Sequence, residues 1–470
     1  MRLPAGLGPI HIIGIGGIGM SAIAEVLHAR GVKVQGSDQS AGANVTRLQA
    51  LGIPVAVGHR VENLGAARHI VISSAVKPGN PELDAARAQG LTVIRRAEML
   101  AEIMRDHATI SVTGTHGKTT TTSILAHLLT ACGADPTVIT GGVIVDWGTN
   151  ARLGKSPWMV VEADESDGTF ARLPTQIGVV TNIDPEHLDY FGSVEAMHKE
   201  FEIFYRNIPF YGLIVTCLDH PVVADMIGQL DLRRDGRRLL TYGAHVDCDL
   251  RLLGAQIEGR TTVFDAQLSD RVTGGARSLQ GLRVPVPGRH NALNALAAWG
   301  VASELGIDDE QLRHALANFS GVERRFQLAG TWNGVEIIDD YAHNPSKIAA
   351  ALHAARGCTK GRVIAVFEPH RFTRVRDSWD DFCRSFADAD QVIVLPMYTA
   401  GEASIEGISS ASLAAGIVKA GHASVAAVEQ ATDVAGLIRK WAKPSDMVIY
   451  CGAGRSSGWA HALAKELASS

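Results

Sequence analysis

The chain has 470 residues, 46% hydrophobic and 20% charged, enough for about two to four soluble globular domains. Its formal charge of −5 (44 Lys+Arg against 49 Asp+Glu) includes no basic stripe of the kind a nucleic-acid partner requires. The six cysteines form no C-x-x-C pair, and neither an apolar leader nor a run of about eighteen apolar residues occurs, so the expectation is a reduced, cytoplasmic protein without a zinc site or a membrane span.

The first part runs to about residue 106. A strand is expected over Ile10–Ile15, then the glycine turn Gly16-Gly17-Ile18-Gly19-Met20-Ser21, then a helix through Ala29 that Gly31 ends. A second strand, Val32–Gly36, follows with Asp38 at its tip. Gly14, Gly16 and Gly19 fit G-x-G-x-x-G, and Asp38 lies where a ribose-binding acid would sit. Such a βαβ unit cradles a diphosphate, and on these residues alone a dinucleotide and a nucleotide sugar fit equally. A further buried strand is expected over Val71–Val76, with a turn at Lys77–Pro81.

The second part spans about 107–321. The apolar run Ala108–Val112 leads into Thr113-Gly114-Thr115-His116-Gly117-Lys118-Thr119-Thr120, and a helix is expected from Thr121 to Leu129. A glycine turn between strand and helix aims N–H groups at one point, where the helix dipole favours an anion. Lys118 supplies a cation for phosphates, and Thr119 a hydroxyl for Mg²⁺. Two later strands end in polar tips: Trp158 onward closes in Glu162-Ala163-Asp164-Glu165-Ser166-Asp167, and Ile177 onward in Asn182, Asp184, Glu186, His187 and Asp189. Carboxylates and histidine at the carboxyl ends of neighbouring strands suit a metal and phosphate site. Residues 231–283 read as a small antiparallel excursion. Val286–Asn294 then opens a strong helix to Leu305, in which Asn291 and Asn294 are each either an adenine contact or a cap.

The third part covers about 322–470. Strands are expected at Val335–Asp340, Arg362–Phe367, Gln391–Leu395 and Met447–Tyr450, a second Rossmann-like unit. The first ends in Tyr341-Ala342-His343-Asn344-Pro345, the second in Glu368-Pro369-His370-Arg371-Phe372-Thr373-Arg374. Arg371 and Arg374 share a face if that segment is helical, and a guanidinium pair clamps a small carboxylate.

These motifs, in this order, resemble the Mur ligases of peptidoglycan synthesis over essentially the full length. The resemblance rests on His11–Ser21, Gly114–Thr120, Glu162–Asp167, Thr181–Asp189, Ile208–Gly212, Pro287–Asn294, Asp339–Pro345 and Phe367–Arg374. The opening I-G-I-G-G-I-G-M-S and the H-R-F-T-R segment are similar to the alanine-adding branch. The resemblance implies an α/β protein of three domains: 1–106 Rossmann-like for the UDP-sugar, 107–321 a P-loop ATPase-like sheet for ATP, and 322–470 Rossmann-like for the amino acid. It implies ATP-dependent joining of L-alanine to the lactyl carboxylate of UDP-N-acetylmuramate through an acyl phosphate, with Mg²⁺ required.

By motif position it assigns Gly14, Gly16, Gly17, Ile18, Gly19, Met20, Ser21, Asp38, Ser73 and Ser74 to the UDP-sugar. ATP falls to Gly114, Thr115, His116, Gly117, Lys118, Thr119, Thr120, Asn294, Arg325 and Asp340. The metal falls to Thr119, Glu162 and His187. Tyr341, His343, His370, Arg371 and Arg374 are assigned to alanine and the intermediate, with Lys118 on the transferring phosphoryl and His343 the candidate for the amine proton. Two segments depart from the branch: Ala342-His343-Asn344-Pro345 stands where G-H-H-P is usual, and Arg455-Ser456 follows the C-terminal Gly452-Ala453-Gly454. Phe201 occupies the place of the carbamylated lysine of many relatives, with Lys199 two positions away, so no carbamate is expected. A monomer or weak homodimer without nucleic acid is expected. The rival readings are a ligase of altered amino-acid preference, a dinucleotide oxidoreductase that leaves Lys118 and Arg371 idle, and a non-catalytic paralogue that binds UDP-sugars and ATP.

Overall fold

A computed structural model describes residues 7–269 and 276–468. The chain is an α/β protein with three mainly parallel sheets, and it divides into two compact units. The first comprises Met1–Gly254, Asp265–Gln280 and Leu293–Ser320; the second comprises Ala255–Phe264, Gly281–Ala292 and Gly321–Ser470.

In the first unit, β1 (Ile10–Ile13) is fully buried and leads through the glycine turn into α1 (Ile18–Ala29). Then come β2 (Val34–Asp38), α2 (Ala43–Ala50), β3 (Val55–Val57), β4 (His69–Ile72) and β5 (Thr92–Arg95), giving the parallel order β3-β2-β1-β4-β5. Gly36 is required where β2 meets β1, because a Cβ there would lie 2.5 Å from the Ile12 carbonyl. The expected strand Val71–Val76 is shorter than its sequence suggests. Its β1 pairing ends at Val71 and its β5 pairing at Ile72, so Ser73–Val76 has no ladder partner and turns, Val76 N–H donating to the Ser73 carbonyl at 3.2 Å.

The larger sheet of this unit has β6 (Ala108–Thr113) at its middle. After β6 come α3 (Lys118–Ala131), β7 (Thr137–Ile144), β8 (Thr149–Arg152), β9 (Trp158–Glu162), β10 (Ile177–Val180), β11 (Leu213–Cys217) and β12 (Leu239–Gly243). They lie in the order β12-β11-β10-β6-β9-β7-β8, with only β8 antiparallel to its neighbour within this run. The helix after the phosphate loop starts three residues earlier than the sequence suggests. β-Branched threonines are poor helix formers, but Thr119, Thr120, Thr121 and Thr122 are all buried here, and packing overrides propensity. The antiparallel reading of 231–283 is corrected at its start: β12 runs parallel to β11, with Ile214 opposite Leu239 and Cys217 opposite Tyr242. One continuous apolar core runs from Ile10 to Leu232, so both sheets of this unit are packed as one body.

In the second unit, Gln327–Trp332 is antiparallel to Val335–Asp340, which is followed by Val363–Phe367, Gln391–Val394, Val425–Ala427 and Met447–Cys451 in a parallel array. The two central strands, Val363–Phe367 and Met447–Cys451, are buried along their whole length. Their apolar side chains form one core on each face, as a sheet covered by helices on both sides demands.

Candidate active site

The glycine turn is shaped by its own hydrogen bonds. Gly14, at φ 74°, is the left-handed position, and its N–H and that of Ile15 donate to the Ser37 carbonyl at the tip of β2. Asp38 is drawn into the loop rather than standing apart: its Oδ2 accepts from Gly16 N–H at 2.9 Å. Gly17 and Ile18 are exposed on the turn, whereas Met20 and Ser21 face the core, where the Ser21 hydroxyl donates to the Ile18 carbonyl at 3.1 Å. Ser73 and Ser74 lie on the turn just past β4.

The phosphate loop is braced from behind by the tip of β10. Thr115 N–H donates to the Asn182 carbonyl at 3.1 Å, His116 N–H to Asn182 Oδ1 at 2.7 Å, and the Thr181 hydroxyl to the His116 carbonyl at 2.7 Å. Asp184 binds His116 Nε2 and His220 Nε2, each at 3.0 Å, and those two imidazoles hold its carboxyl below the usual range. Gly114 (φ 121°) and Gly117 (φ 82°) admit no side chain: a Cβ would lie 2.2 Å from Thr181 Oγ1 at the first and 2.7 Å from Asn294 Oδ1 at the second. The loop and Asn294 are therefore in close contact.

Lys118 Nζ donates to the Gly114 carbonyl at 2.7 Å and pairs with Glu165 at 2.6 Å, with side-chain exposures of 13% and 2%. Burial pulls the Lys118 ammonium down, but Glu165, Asp164 and Glu162 outweigh it and its pKa is raised. Burial pushes the Glu165 carboxyl up. Thr119 Oγ1 donates to Glu162 Oε1 at 3.0 Å, and Gly141 N–H donates to Glu162 Oε2 at 2.7 Å. His187, at a left-handed φ of 56°, lies 3.7 Å from Glu165 and 4.0 Å from Glu186. The ligand atoms of Glu165, Glu186 and His187 all fall within 4.8 Å of one another. Hard oxygen donors with one imidazole fit a divalent cation such as Mg²⁺. Of the residues expected to hold metal, Thr119 meets Glu162, while His187 meets Glu165 and Glu186, which the sequence offered only as acids in a polar tip.

The second unit carries its own cluster. Asp340 accepts from Phe326 N–H at 2.9 Å and Ala342 N–H at 2.8 Å, and burial pushes its carboxyl up to about 6. The Arg324 and Arg325 guanidinium groups lie 4.8 Å and 5.2 Å from the Tyr341 ring centroid. His343 donates through Nδ1 to the Tyr341 carbonyl at 2.7 Å, so Nε2 is its basic nitrogen. His370 stacks on Tyr398 with centroids 5.1 Å apart and accepts at Nδ1 from Arg374 at 3.2 Å. Burial, reinforced by Arg374 and Arg371, pushes His370 down to about 4.

Arg371 and Arg374 do not share a helical face. Arg371 has φ 68° and precedes the helix Phe372–Asp377. Its Nε donates to Glu402 at 2.6 Å, and the same carboxylate accepts from Thr373 N–H at 3.0 Å and Thr373 Oγ1 at 2.7 Å. Burial raises the Glu402 carboxyl, but these bonds outweigh it and bring it down to about 2. No local sequence signal marks Glu402, because it lies 31 residues from Arg371. The glycine turn Gly452–Gly454 is filled from within: the buried Glu368 carboxylate accepts from the N–H groups of Gly454, Arg455 and Ser456 at 3.0–3.1 Å. In the first unit, Phe201 is fully buried against Phe170 with centroids 4.8 Å apart, and Lys199 points outward to Glu202 at 3.0 Å.

Three family descriptions match in succession: "Mur ligase family, catalytic domain" over residues 9–108, "Mur ligase middle domain" over 112–302, and "Mur ligase, glutamate ligase domain" over 324–454. The chain belongs to the Mur ligase family. It is 53% identical over 470 residues to the UDP-N-acetylmuramate–L-alanine ligase of Mesorhizobium japonicum, covering 100% of both chains. It is 54% identical over 468 residues to the protein of the same name from Methylobacterium nodulans, covering 100% of this chain and 98% of that one. Among solved structures, the UDP-N-acetylmuramate-alanine ligase MurC of Thermotoga maritima superposes with a TM-score of 0.83 at 27% identity, over 98% of this chain and 99% of the other. A murein peptide ligase of Psychrobacter arcticus, at 24% identity and a TM-score of 0.70, shares the fold.

Proposed function

We propose that this protein joins L-alanine to the lactyl carboxylate of UDP-N-acetylmuramate at the expense of ATP. The observation that carries the reading is the likeness, more than half identical from end to end, to relatives named for that reaction. The phosphate loop supports it, with one buried lysine and three acids at the carboxyl ends of parallel strands. A carboxylate acylates an amine only once its oxygen becomes a leaving group, which γ-phosphoryl transfer provides. The alanine amine then attacks the acyl phosphate, and phosphate departs. Positioning and charge neutralisation carry such a reaction.

In this reading the N–H groups from Gly117 to Thr120, at the start of α3, hold the ATP phosphates, while those of Thr115 and His116 brace the loop on Asn182, and Lys118 leaves Glu165 to neutralise the transferring group. Gly14, Gly16 and the exposed Gly17 and Ile18 receive the UDP diphosphate. Thr119, Glu162 and His187, with Glu165 and Glu186 beside them, would hold Mg²⁺, which supplies charge neutralisation at the phosphates when bound. Asn294, Arg325 and Asp340 contact ATP. Tyr341, His370, Arg371 and Arg374 orient the alanine carboxylate, and Nε2 of His343 accepts the amine proton. The neutral state of His370 near pH 7 suits a hydrogen-bonding rather than a charged role. Domains at 1–106, 107–321 and 322–470 divide these tasks. Among the described residues no helix is long and apolar enough to cross a membrane, and we place the enzyme in the cytoplasm as a monomer or weak homodimer.

Phosphate release with UDP-N-acetylmuramate, ATP and each of the twenty amino acids tests this reading. L-Alanine gives the highest kcat/KM. A higher value for glycine or serine would reassign the amino acid, since one methyl group is worth only about 1–3 kcal/mol of selectivity. No amino-acid-dependent release at all would refute the ligase.

A further inference from the structure

Asn150 on β8 is fully buried, and its amide joins two segments that the proposed chemistry uses separately. Nδ2 donates to the Ile18 carbonyl on the glycine turn at 2.7 Å and to the Thr140 carbonyl on β7 at 3.0 Å. Oδ1 accepts from Arg47 at 3.2 Å. The same Arg47 nitrogen reaches Asn44 Oδ1 at 3.3 Å, and Asn44 donates to the Gly16 carbonyl at 2.8 Å. Two carbonyls of the glycine turn, Gly16 and Ile18, are thereby tied to one buried amide.

The other side of that amide leads to Glu162. The Thr140 carbonyl and the Gly141 N–H belong to one planar peptide group, and planarity makes them turn together. Asn150 holds the carbonyl end, and the N–H end donates to Glu162 Oε2 at 2.7 Å. The contact is tight enough that a Cβ at Gly141 would lie 2.4 Å from Glu162 Oε1. Glu162 also receives the Thr119 hydroxyl. A displacement of Ile18 therefore reaches the carboxylate beside the phosphate loop through one side chain and one peptide plane, all inside one compact unit.

We propose that Asn150 is a positioning residue that couples occupancy of the glycine turn by the UDP-sugar to the orientation of Glu162, and so to binding of the metal–nucleotide pair. The inference rests on the function proposed above. Coupling of this kind is reciprocal: each ligand raises the affinity of the other by the same factor. Asn150→Asp is nearly isosteric but puts an oxygen where the two donors were, facing two carbonyl oxygens. Asn150→Ala removes the link outright.

The test is calorimetric titration of UDP-N-acetylmuramate into the full-length protein, without and with a saturating non-hydrolysable ATP analogue and Mg²⁺. In the wild type the analogue tightens UDP-N-acetylmuramate binding about fivefold or more. In folded Asn150→Asp and Asn150→Ala the ratio falls to within about twofold of one. Arg152→Met, which removes an ion pair to Asp135 at the end of the same strand, leaves the ratio unchanged. A merely structural role for Asn150 would lower stability or both affinities but keep the ratio. Should Asn150→Asp not fold, Arg47→Met, which removes the Oδ1 contact and the Asn44 bridge together with an ion pair to Glu25 at 2.7 Å and a bond to the Gly148 carbonyl at 3.4 Å, decides by a fall in the same ratio that Glu25→Gln does not show. A wild-type ratio of one, or an unchanged ratio in the variants, overturns the coupling. Failure of the wild type to bind UDP-N-acetylmuramate at all overturns the function on which the inference rests.

Discussion

Replacing Lys118 by methionine separates two roles of that side chain. In the structure it is 13% exposed and pairs at 2.6 Å with a glutamate that is 2% exposed, with Asp164 and Glu162 also acting on it. Deleting one partner of a buried pair strands the other, which costs about 3–5 kcal/mol, against about 0–1 kcal/mol for an exposed pair. Lys118→Met is therefore expected to lose about 3–5 kcal/mol in urea unfolding at pH 7, and all phosphate release. Adding Glu165→Gln removes the stranded charge and returns most of the stability, but not the turnover. The sign of the pH dependence follows from the same burial. The folded pKa of Glu165 is raised, so its ionisation costs stability above its unfolded pKa, and lowering the pH from 7 toward 5 restores stability to the single variant but not to the double. UDP-N-acetylmuramate binding survives in both. A single variant that loses less than about 1 kcal/mol, or a double variant no more stable than the single, would refute the buried-pair reasoning.

Gly141→Ala forces a methyl group against Glu162 and is expected to raise the Mg²⁺ concentration for half-maximal phosphate release about tenfold or more; an unchanged requirement argues against Glu162 as a ligand. His370 titrates near pH 4 in the folded protein, so its protonation, followed by NMR of the imidazole carbon protons, sits well below pH 6.5. Arg374→Gln moves that midpoint upward by removing a neighbouring cation, and no movement would contradict the contact. Burial raises the Glu82 carboxyl, but hydrogen bonds from His11, Ser37 and Asn63 outweigh it and bring it to about 2. Its stabilising effect is therefore present above about pH 4.5 and lost as pH falls toward 2, and Glu82→Gln flattens the urea midpoint across that window.

Glycine spacing made the turns at Gly14–Gly19 and Gly114–Gly117 legible, because left-handed φ and close approach demand glycine at fixed intervals. The buried strands were equally visible as apolar runs ending in polar tips. Partnerships across the chain were not. Glu402 lies 31 residues from Arg371 and Asn150 lies 132 from Ile18, and no periodicity links such positions. In sequence Glu165 and Glu186 are two more acids in crowded tips, and only the fold sets them beside Lys118 and His187. The helix at Lys118 began early because burial of four threonines outweighed their propensity. Ser73 and Ser74 left the strand because neither neighbouring strand extends far enough to pair with them. Arg371 escaped the expected helical face through a left-handed φ that its side chain does not favour.

Isotope transfer from the sugar acid bears most directly on activation by phosphorylation. UDP-N-acetylmuramate labelled with ¹⁸O in both lactyl carboxylate oxygens is incubated with the protein, ATP, Mg²⁺ and L-alanine, and the inorganic phosphate is analysed by mass spectrometry. The acyl-phosphate route carries one labelled oxygen into each phosphate released. Phosphate free of label, formed alongside the amide product, would mean that the carboxylate oxygen never left with phosphorus and would contradict the account.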